Sequence, residues 1–314
     1  MIGRAPGFRV TDIRPIPSKD LPLKPVHLAL AVLVAALWGF NFVVIRWGLG
    51  AFPPLLLASL RFLVAALPVF VLPRPPIPVQ RMLLIGVAWF VAQFAFLFTG
   101  MQVGMTPGLA SVVMQSQAFF TILLASLVLR ESPTFRQVGG AAVAGLGLLC
   151  IGATVAGAGD VTPLGLALVL AGGASWACGN ILLRREKSPD MLATVAWLSL
   201  VAPLPLFGLS LLIEGPEAVT TALSHFDAVG LGSVLYLAVL ATIVGFGIWG
   251  YLLKLYPAST VAPFSLLVPL FGVVSSAIVF GERFGPLRIA GIALILLGLA
   301  VIALPIGWLK PKPG

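Results

Sequence analysis

Ten apolar stretches, each close to the length that spans a bilayer, follow one another through this chain: 26–46, 54–72, 82–104, 107–129, 137–155, 163–183, 191–213, 229–253, 258–280 and 287–307. About 20 apolar residues carry a helix across the hydrocarbon core. Inside that core only helices and closed barrels satisfy their own backbone hydrogen bonds. The stretches are continuous rather than alternating, which excludes a transmembrane barrel. Charged residues make up 9% of the chain, against about a quarter in soluble domains. Little length remains between the stretches for a water-soluble domain. The expected fold class is an all-α polytopic membrane protein with ten transmembrane helices.

The net charge of +9 has a topological origin. With the N-terminus in the cytoplasm, Arg4, Arg9, Arg14, Lys19, Lys24, Arg74, Arg81, Arg130, Arg136, Arg184, Arg185, Lys187, Lys254, Lys310 and Lys312 all fall inside. Only Arg46, Arg283 and Arg288 fall outside, beside Asp160, Glu214, Glu217 and Asp227. That bias is the positive-inside pattern, and it places both termini in the cytoplasm. No nucleic-acid partner is implied. Residues 1–25 are polar and rich in Pro and Arg. They read as a disordered cytoplasmic tail and not as a signal peptide, because the first apolar run is too long for one.

Cys150 and Cys178 lie within spans, and His27 and His225 lie at span edges. This inventory builds no disulfide framework, no metal site and no catalytic cluster. The protein is expected to be no enzyme and to need no cofactor or metal. Its expected partners are a small-molecule substrate and membrane lipid. The sequence sets no oligomeric state, and a monomer is compatible with it.

The second half echoes the first. Trp38 and Asn41 match Trp176 and Asn180, and Arg46 follows Trp38 at the interval by which Arg184 follows Trp176. Gly100 and Pro107 match Gly250 and Pro257; Glu131 matches Glu282; Arg136 and Gly139 match Arg288 and Gly291. The halves are expected at 26–155 and 163–307. Five spans in each half invert the second copy relative to the first. Inverted repeats are a transporter architecture, with substrate bound near the midplane between them.

Arg61 is the one charge deep within an apolar run. Near the bilayer midplane such a residue costs at least about 2.5–3.5 kcal/mol, so it faces protein or a wet cavity. Its guanidinium can grip a substrate carboxylate; equally, it can bond backbone carbonyls or snorkel to the interface. Trp38 with Asn41, and Trp176 with Asn180, each share a helix face. An amide beside an aromatic suits a small zwitterion, although Asn also glues helices together. The third span carries Trp89, Gln93, Phe96 and Gly100 on one expected stripe. The fourth carries Ser111, Gln115 and Ala118 on one face and Gln117 and Thr121 on another. Glutamines this deep are costly unless satisfied. Thr242 and Trp249 bracket a glycine-rich eighth span. The candidate substrate-binding set is Trp38, Asn41, Arg61, Gln93, Gln115, Gln117, Trp176, Asn180, Thr242 and Trp249. Glu131 and Glu282 sit at span ends, where each is expected to favour the start of the next helix and to pair with Arg136 or Arg288. No Asp, Glu or His lies clearly within the hydrocarbon, which weighs against a proton relay.

Several segments resemble the drug/metabolite transporter superfamily, in its EamA-type branch of ten-span bacterial exporters. They are Trp-Gly-Phe-Asn-Phe from Trp38, Pro-Pro-Leu-Leu-Leu-Ala-Ser-Leu-Arg-Phe from Pro53, Gly-Met-Thr-Pro-Gly-Leu-Ala-Ser from Gly104, Gln-Ser-Gln-Ala-Phe-Phe-Thr from Gln115, Ser-Trp-Ala-Cys-Gly-Asn from Ser175 and Gly-Glu-Arg from Gly281. The resemblance runs from about residue 26 to about residue 304 in order, as repeated halves require. The Gln-containing segment and Ser-Trp-Ala-Cys-Gly-Asn look like exporters of O-acetylserine and cysteine-pathway metabolites. The resemblance implies an inner-membrane carrier of five-plus-five inverted topology that exports small amino acids or their derivatives by alternating access. Phe246 stands where a tyrosine is expected in such exporters, which points toward a less polar substrate. The alternatives are a carrier for another small metabolite or an amphiphilic drug, and a proton-coupled antiporter.

Overall fold

The computed structural model describes residues 23–155, 161–186, 190–225 and 227–304. These form helices and no strand. In chain order the principal helices are α1 (Pro25–Ala51), α2 (Pro54–Phe70), α3 (Val79–Gln102), α4 (Pro107–Leu129), α5 (Phe135–Ala153), α6 (Pro163–Leu183), α7 (Met191–Ile213), α8 (Ala228–Leu255), α9 (Ala258–Phe280) and α10 (Pro286–Ala303). All but α2 are long and apolar enough to cross a membrane. A short helix, Pro216–His225, joins α7 to α8. The tail expected at 1–25 lies outside the described residues except for its last three, as do 305–307 of the second half.

The second apolar run differs from its expected full span. Its α-helix stops at Ala65, and a 3-10 turn over Leu67–Phe70 follows. Pro68 has no N–H to donate to the preceding turn, so the α-helical ladder breaks there. The first run goes the other way. α1 continues to Ala51, which puts Arg46 inside the helix near its exposed end.

Helix starts follow local chemistry. Proline occupies the first turn of α1, α2, α4, α6 and α10, where its missing N–H costs nothing. Thr134 and Gln137 form a reciprocal capping box on α5. Thr162, Asp190 and Asp227 cap α6, α7 and α8. The Asp190 carboxyl is held below its ordinary range, first by the Ala193 N–H, with Lys254 assisting.

Contacts trace the two ends of the bundle. At one end the Lys24 N–H reaches the Tyr256 hydroxyl (3.3 Å), and Lys254 pairs with Asp190 (3.1 Å). Arg81 pairs with Glu186 (3.5 Å), Arg184 with Glu131 (2.9 Å), and Arg136 Nε donates to the Val301 carbonyl. α1 therefore starts, and α10 ends, at this same end, called the terminal face below. At the distal face the Glu214 carboxylate accepts from the Leu55 N–H (2.7 Å) and the Leu56 N–H (3.3 Å), capping α2 from across the bundle.

The two halves repeat in three dimensions. α3 and α8 each contain a π-helical segment, Val87–Ala92 and Tyr236–Val244. α4 and α9 each end on a left-handed residue just before a glutamate: Arg130 (φ 55°) before Glu131, and Gly281 (φ 65°) before Glu282. α5 and α10 mesh backbone to backbone. A Cβ on Gly147 would come 2.5 Å from the Gly291 carbonyl oxygen, and one on Gly140 2.7 Å from that of Gly298. Gly140 faces Gly298 and Gly147 faces Gly291, so the two helices run antiparallel. The fold is two inverted five-helix repeats.

Two ionic expectations change. Glu131 pairs with Arg184 rather than Arg136. Glu282 caps α4 rather than the helix that follows it, accepting from the Gly108 N–H (3.0 Å). Arg288, expected at the outer opening of the tenth span, stands there in the first turn of α10 and is buried, with its Nε on the Thr154 hydroxyl (3.1 Å).

Candidate functional site

α2 carries Arg61 into the centre of the bundle. Phe62 beside it stacks on Phe90 (4.8 Å, 23°) and meets Phe94 edge-on (4.9 Å, 78°), which fixes α2 against α3. Arg61 is 4% exposed. Its Nε and Nη2 donate to the Thr242 hydroxyl (3.3 and 3.0 Å), and that hydroxyl donates to the Leu237 carbonyl (2.8 Å). The Leu237 carbonyl lies in the π segment of α8, where wider turns open carbonyls to side chains. The guanidinium carbon sits 4.2 Å above the Phe94 ring, a favourable cation–π geometry. No ion pair among the described residues includes Arg61.

A cavity of about 340 Å³ opens beside it. Trp38, Asn41, Arg61, Gln93, Gln115, Gln117, Trp176, Asn180 and Trp249 all line this cavity. Thr242, the tenth candidate, does not line it but stands behind Arg61 as its acceptor. Both halves of the chain thus contribute to one chamber. An aromatic wall runs across it. Trp38 lies 5.3 Å from Trp249 and 5.2 Å from Phe246; Phe246 lies 6.0 Å from Trp89, and Trp89 5.0 Å from Trp176. Trp38 is locked by its Nε1, which donates to the Ala241 carbonyl (2.8 Å) in the α8 π segment.

Five side chains of the lining present buried atoms without a protein partner: Asn41 Oδ1, Arg61 Nη1, Trp89 Nε1, Gln93 Oε1 and Gln117 Oε1. Each such atom costs about 1–3 kcal/mol when nothing meets it. Two are donors on an arginine and an indole; three are amide oxygens. A solute with an anionic end and a cationic end matches that set. No Asp, Glu or His lines the chamber, and no cluster of three metal-ligating side chains occurs among the described residues.

The lining differs from helical-wheel expectation in two places. Trp89 and Gln93 line the cavity with Leu97, while Phe96 is exposed and Gly100 packs on α6 at Gly165 and Val169. The π segment Val87–Ala92 widens the turn, so a 3.6-residue stripe does not hold through it. Gln115 and Gln117, expected on different faces, both line the cavity because a 3-10 turn over Met114–Ser116 changes the angular step within α4. Thr121 instead donates to its own helix at the Gln117 carbonyl (2.7 Å). Trp89, Phe94, Met114 and Phe246 belong to the chamber and stand outside the ten candidates. Trp89, four residues before Gln93, and Phe246, at the place of an expected tyrosine, were the legible signals among them.

The model of the EamA-like transporter family matches residues 26–153 and again 163–304. The chain belongs to the EamA-like transporter family. As an EamA protein it is a multi-pass membrane transporter rather than an enzyme. It is 43% identical over 277 residues to a protein of Salmonella typhimurium named "Probable amino-acid metabolite efflux pump", covering 87% of this chain and 93% of that one. A protein of the same name from Escherichia coli K12 is 42% identical over 286 residues, covering 90% and 96%. An uncharacterized transporter of Bacillus subtilis, YvbV, is 28% identical over 291 residues. A solved crystal structure superposes with a TM-score of 0.60 at 17% identity, covering 92% of this EamA chain and all of the other. At that identity the likeness is one of fold.

Proposed function

We propose that this EamA transporter exports small amino acids or their derivatives, of the cysteine or O-acetylserine kind, across the bacterial inner membrane by alternating access. The observation that carries the reading is the chamber itself: four of the residues lining one cavity each hold a buried polar atom without a protein partner, Arg61 Nη1 and the amide oxygens of Asn41, Gln93 and Gln117. The substrate carboxylate meets Arg61 and the Trp89 indole N–H, and the substrate ammonium meets the amide oxygens of Asn41, Gln93 and Gln117. The aromatic wall takes the substrate side chain. The names of the Salmonella and Escherichia coli relatives support efflux of amino-acid metabolites as the direction and class. The excess of Lys and Arg at the terminal face makes that face cytoplasmic. Substrate then enters from the cytoplasm, and rocking of one repeat against the other exposes it outward.

The test is reconstitution. Proteoliposomes preloaded with radiolabelled cysteine or O-acetylserine release it faster than protein-free liposomes, and neutral sugars of similar size are retained. Equal release from both preparations ends the reading. A second reading rests on the wall of Trp38, Trp176, Trp249 and Phe246: a larger, less polar metabolite or amphiphilic drug. It requires that such compounds compete for release more strongly than cysteine does.

A further inference from the structure

The repeats match at marker residues and in helix order, yet their two glutamates do different things. Glu282, after α9, reaches the opposite repeat. Its carboxylate accepts from the Thr106 hydroxyl and from the Gly108 N–H (3.0 Å) at the start of α4, and from the Ser276 hydroxyl of α9 itself. Glu131 stands at the matching place after α4 and the matching left-handed residue. By the same repeat its target is the Ala258 N–H at the start of α9, since Pro257 matches Pro107 and Ala258 therefore matches Gly108; Tyr256 stands in the place of Thr106. That helix start has no side-chain cap. Glu131 instead lies half-exposed on Arg184.

The packing of α4 on α9 is equally one-sided. At the distal face the first turns of α4 seat tightly on α9 and on the turn after it: a Cβ on Gly272 of α9 would meet Ser111, and one on Gly108 would lie 2.8 Å from Glu282 and from Phe284. At the terminal face the start of α9 makes no comparable contact with the second half of α4. The chamber opens toward that face, where Leu183 and Met191 line both it and a second pocket that reaches Glu186 and Lys254.

We infer that Glu282 is a positioning residue that latches the distal end of the chamber shut, and that Glu131 is its counterpart, which caps the start of α9 when the terminal end closes. The inference rests on the alternating-access reading above. In one state Glu282 ties α9 to α4 and the chamber faces the terminal side. In the other, Glu282 lets go and Glu131 leaves Arg184 for the first turn of α9. Trading one carboxylate cap on a backbone N–H for another brings the two states closer in energy than a latch at one end alone would leave them, as a reversible carrier requires.

The experiment reads which face the chamber opens to. In a full-length C150A/C178A background, a single reporter cysteine at Met114 (M114C), in the chamber lining, is labelled with a membrane-impermeant maleimide in right-side-out and inside-out vesicles. The unlatched variant Glu282→Ala is expected to raise labelling from the distal face about tenfold, the shift that follows from losing charge-assisted bonds made in one state only. Glu131→Ala is expected to leave labelling from the terminal face at or above its starting rate. In a separate pair of proteins that keep both glutamates, a short bis-maleimide is expected to join M105C to R283C, residues that line one distal pocket, and also their repeat counterparts L255C and S132C, each at its own stage of the cycle. Equal distal labelling with and without Glu282→Ala, in protein that stays monodisperse, overturns the latch. Failure of the S132C/L255C pair to join while M105C/R283C does so overturns the exchange. A reporter labelled from one face alone in every variant overturns alternating access itself along with the latch. Where Glu282→Ala does not fold, the cross-linking pairs decide.

Discussion

Replacing Arg61 with lysine keeps the charge and removes the fork. In the structure Nε and Nη2 are committed to Thr242, the guanidinium plane rests 4.2 Å from the centre of Phe94, and only Nη1 is left for a solute. A lysine ammonium concentrates its donors on one atom. It cannot hold Thr242 and a substrate carboxylate in the same arrangement. The loss is one charge-assisted bond to substrate, about 1.5–3 kcal/mol, or about a 10- to 150-fold rise in half-saturating substrate. Folding changes less, because a cation still occupies the site beside Phe94. The assay is counterflow of a radiolabelled amino acid in proteoliposomes, set against its carboxamide, which lacks the anionic end. The parent protein should prefer the acid by that factor, and Arg61→Lys should narrow the preference toward unity while running as a single species in detergent. An unchanged half-saturation and an unchanged acid-to-amide preference would refute the assignment and return Arg61 to a purely structural part.

Thr242→Val removes the acceptor of two Arg61 bonds and leaves a buried cation short of partners; transport affinity should fall with a loss of about 1–3 kcal/mol in thermal or denaturant stability. Glu214→Gln weakens the cap on α2 and should lower stability by about 1 kcal/mol, read as a drop in melting temperature in detergent. Gly147→Leu puts a side chain where the Gly291 carbonyl already stands, so expression of folded protein should fall sharply, with at least about 1–3 kcal/mol lost to overpacking. Asp190 carries a lowered carboxyl pKa. Its contribution is therefore fully present above the unfolded value of about 3.9 and fades only as pH drops through the lower folded value. Melting temperature of the parent should thus lose an Asp190-dependent increment only in strong acid, and Asp190→Asn should flatten that limb.

The architecture was legible because bilayer length and continuous apolarity leave few alternatives, and because Trp38/Trp176 and Pro107/Pro257 mark the same places in two halves. Nine of ten candidate residues line one chamber because buried amides and a buried arginine are too costly to leave in lipid. What escaped has a common cause: departures from 3.6-residue geometry. The π segment of α3 carried Phe96 away from the stripe, and the 3-10 turn of α4 brought Gln117 beside Gln115. Such turns are selected by tertiary packing and leave no local pattern. The partners of Glu131 and Glu282 escaped for another reason: they lie on the other repeat, beyond any argument from spacing along one helix.

The glycine seam between α5 and α10 has a mechanical consequence. At four positions the peptide groups of one helix already occupy the space a methyl would need on the other, so neither rod can slip, roll or part without losing the whole contact. The two halves are thus riveted along one edge. Under the proposed alternating access, that edge is where the hinge belongs, since parting there would break backbone-close contacts along the whole seam.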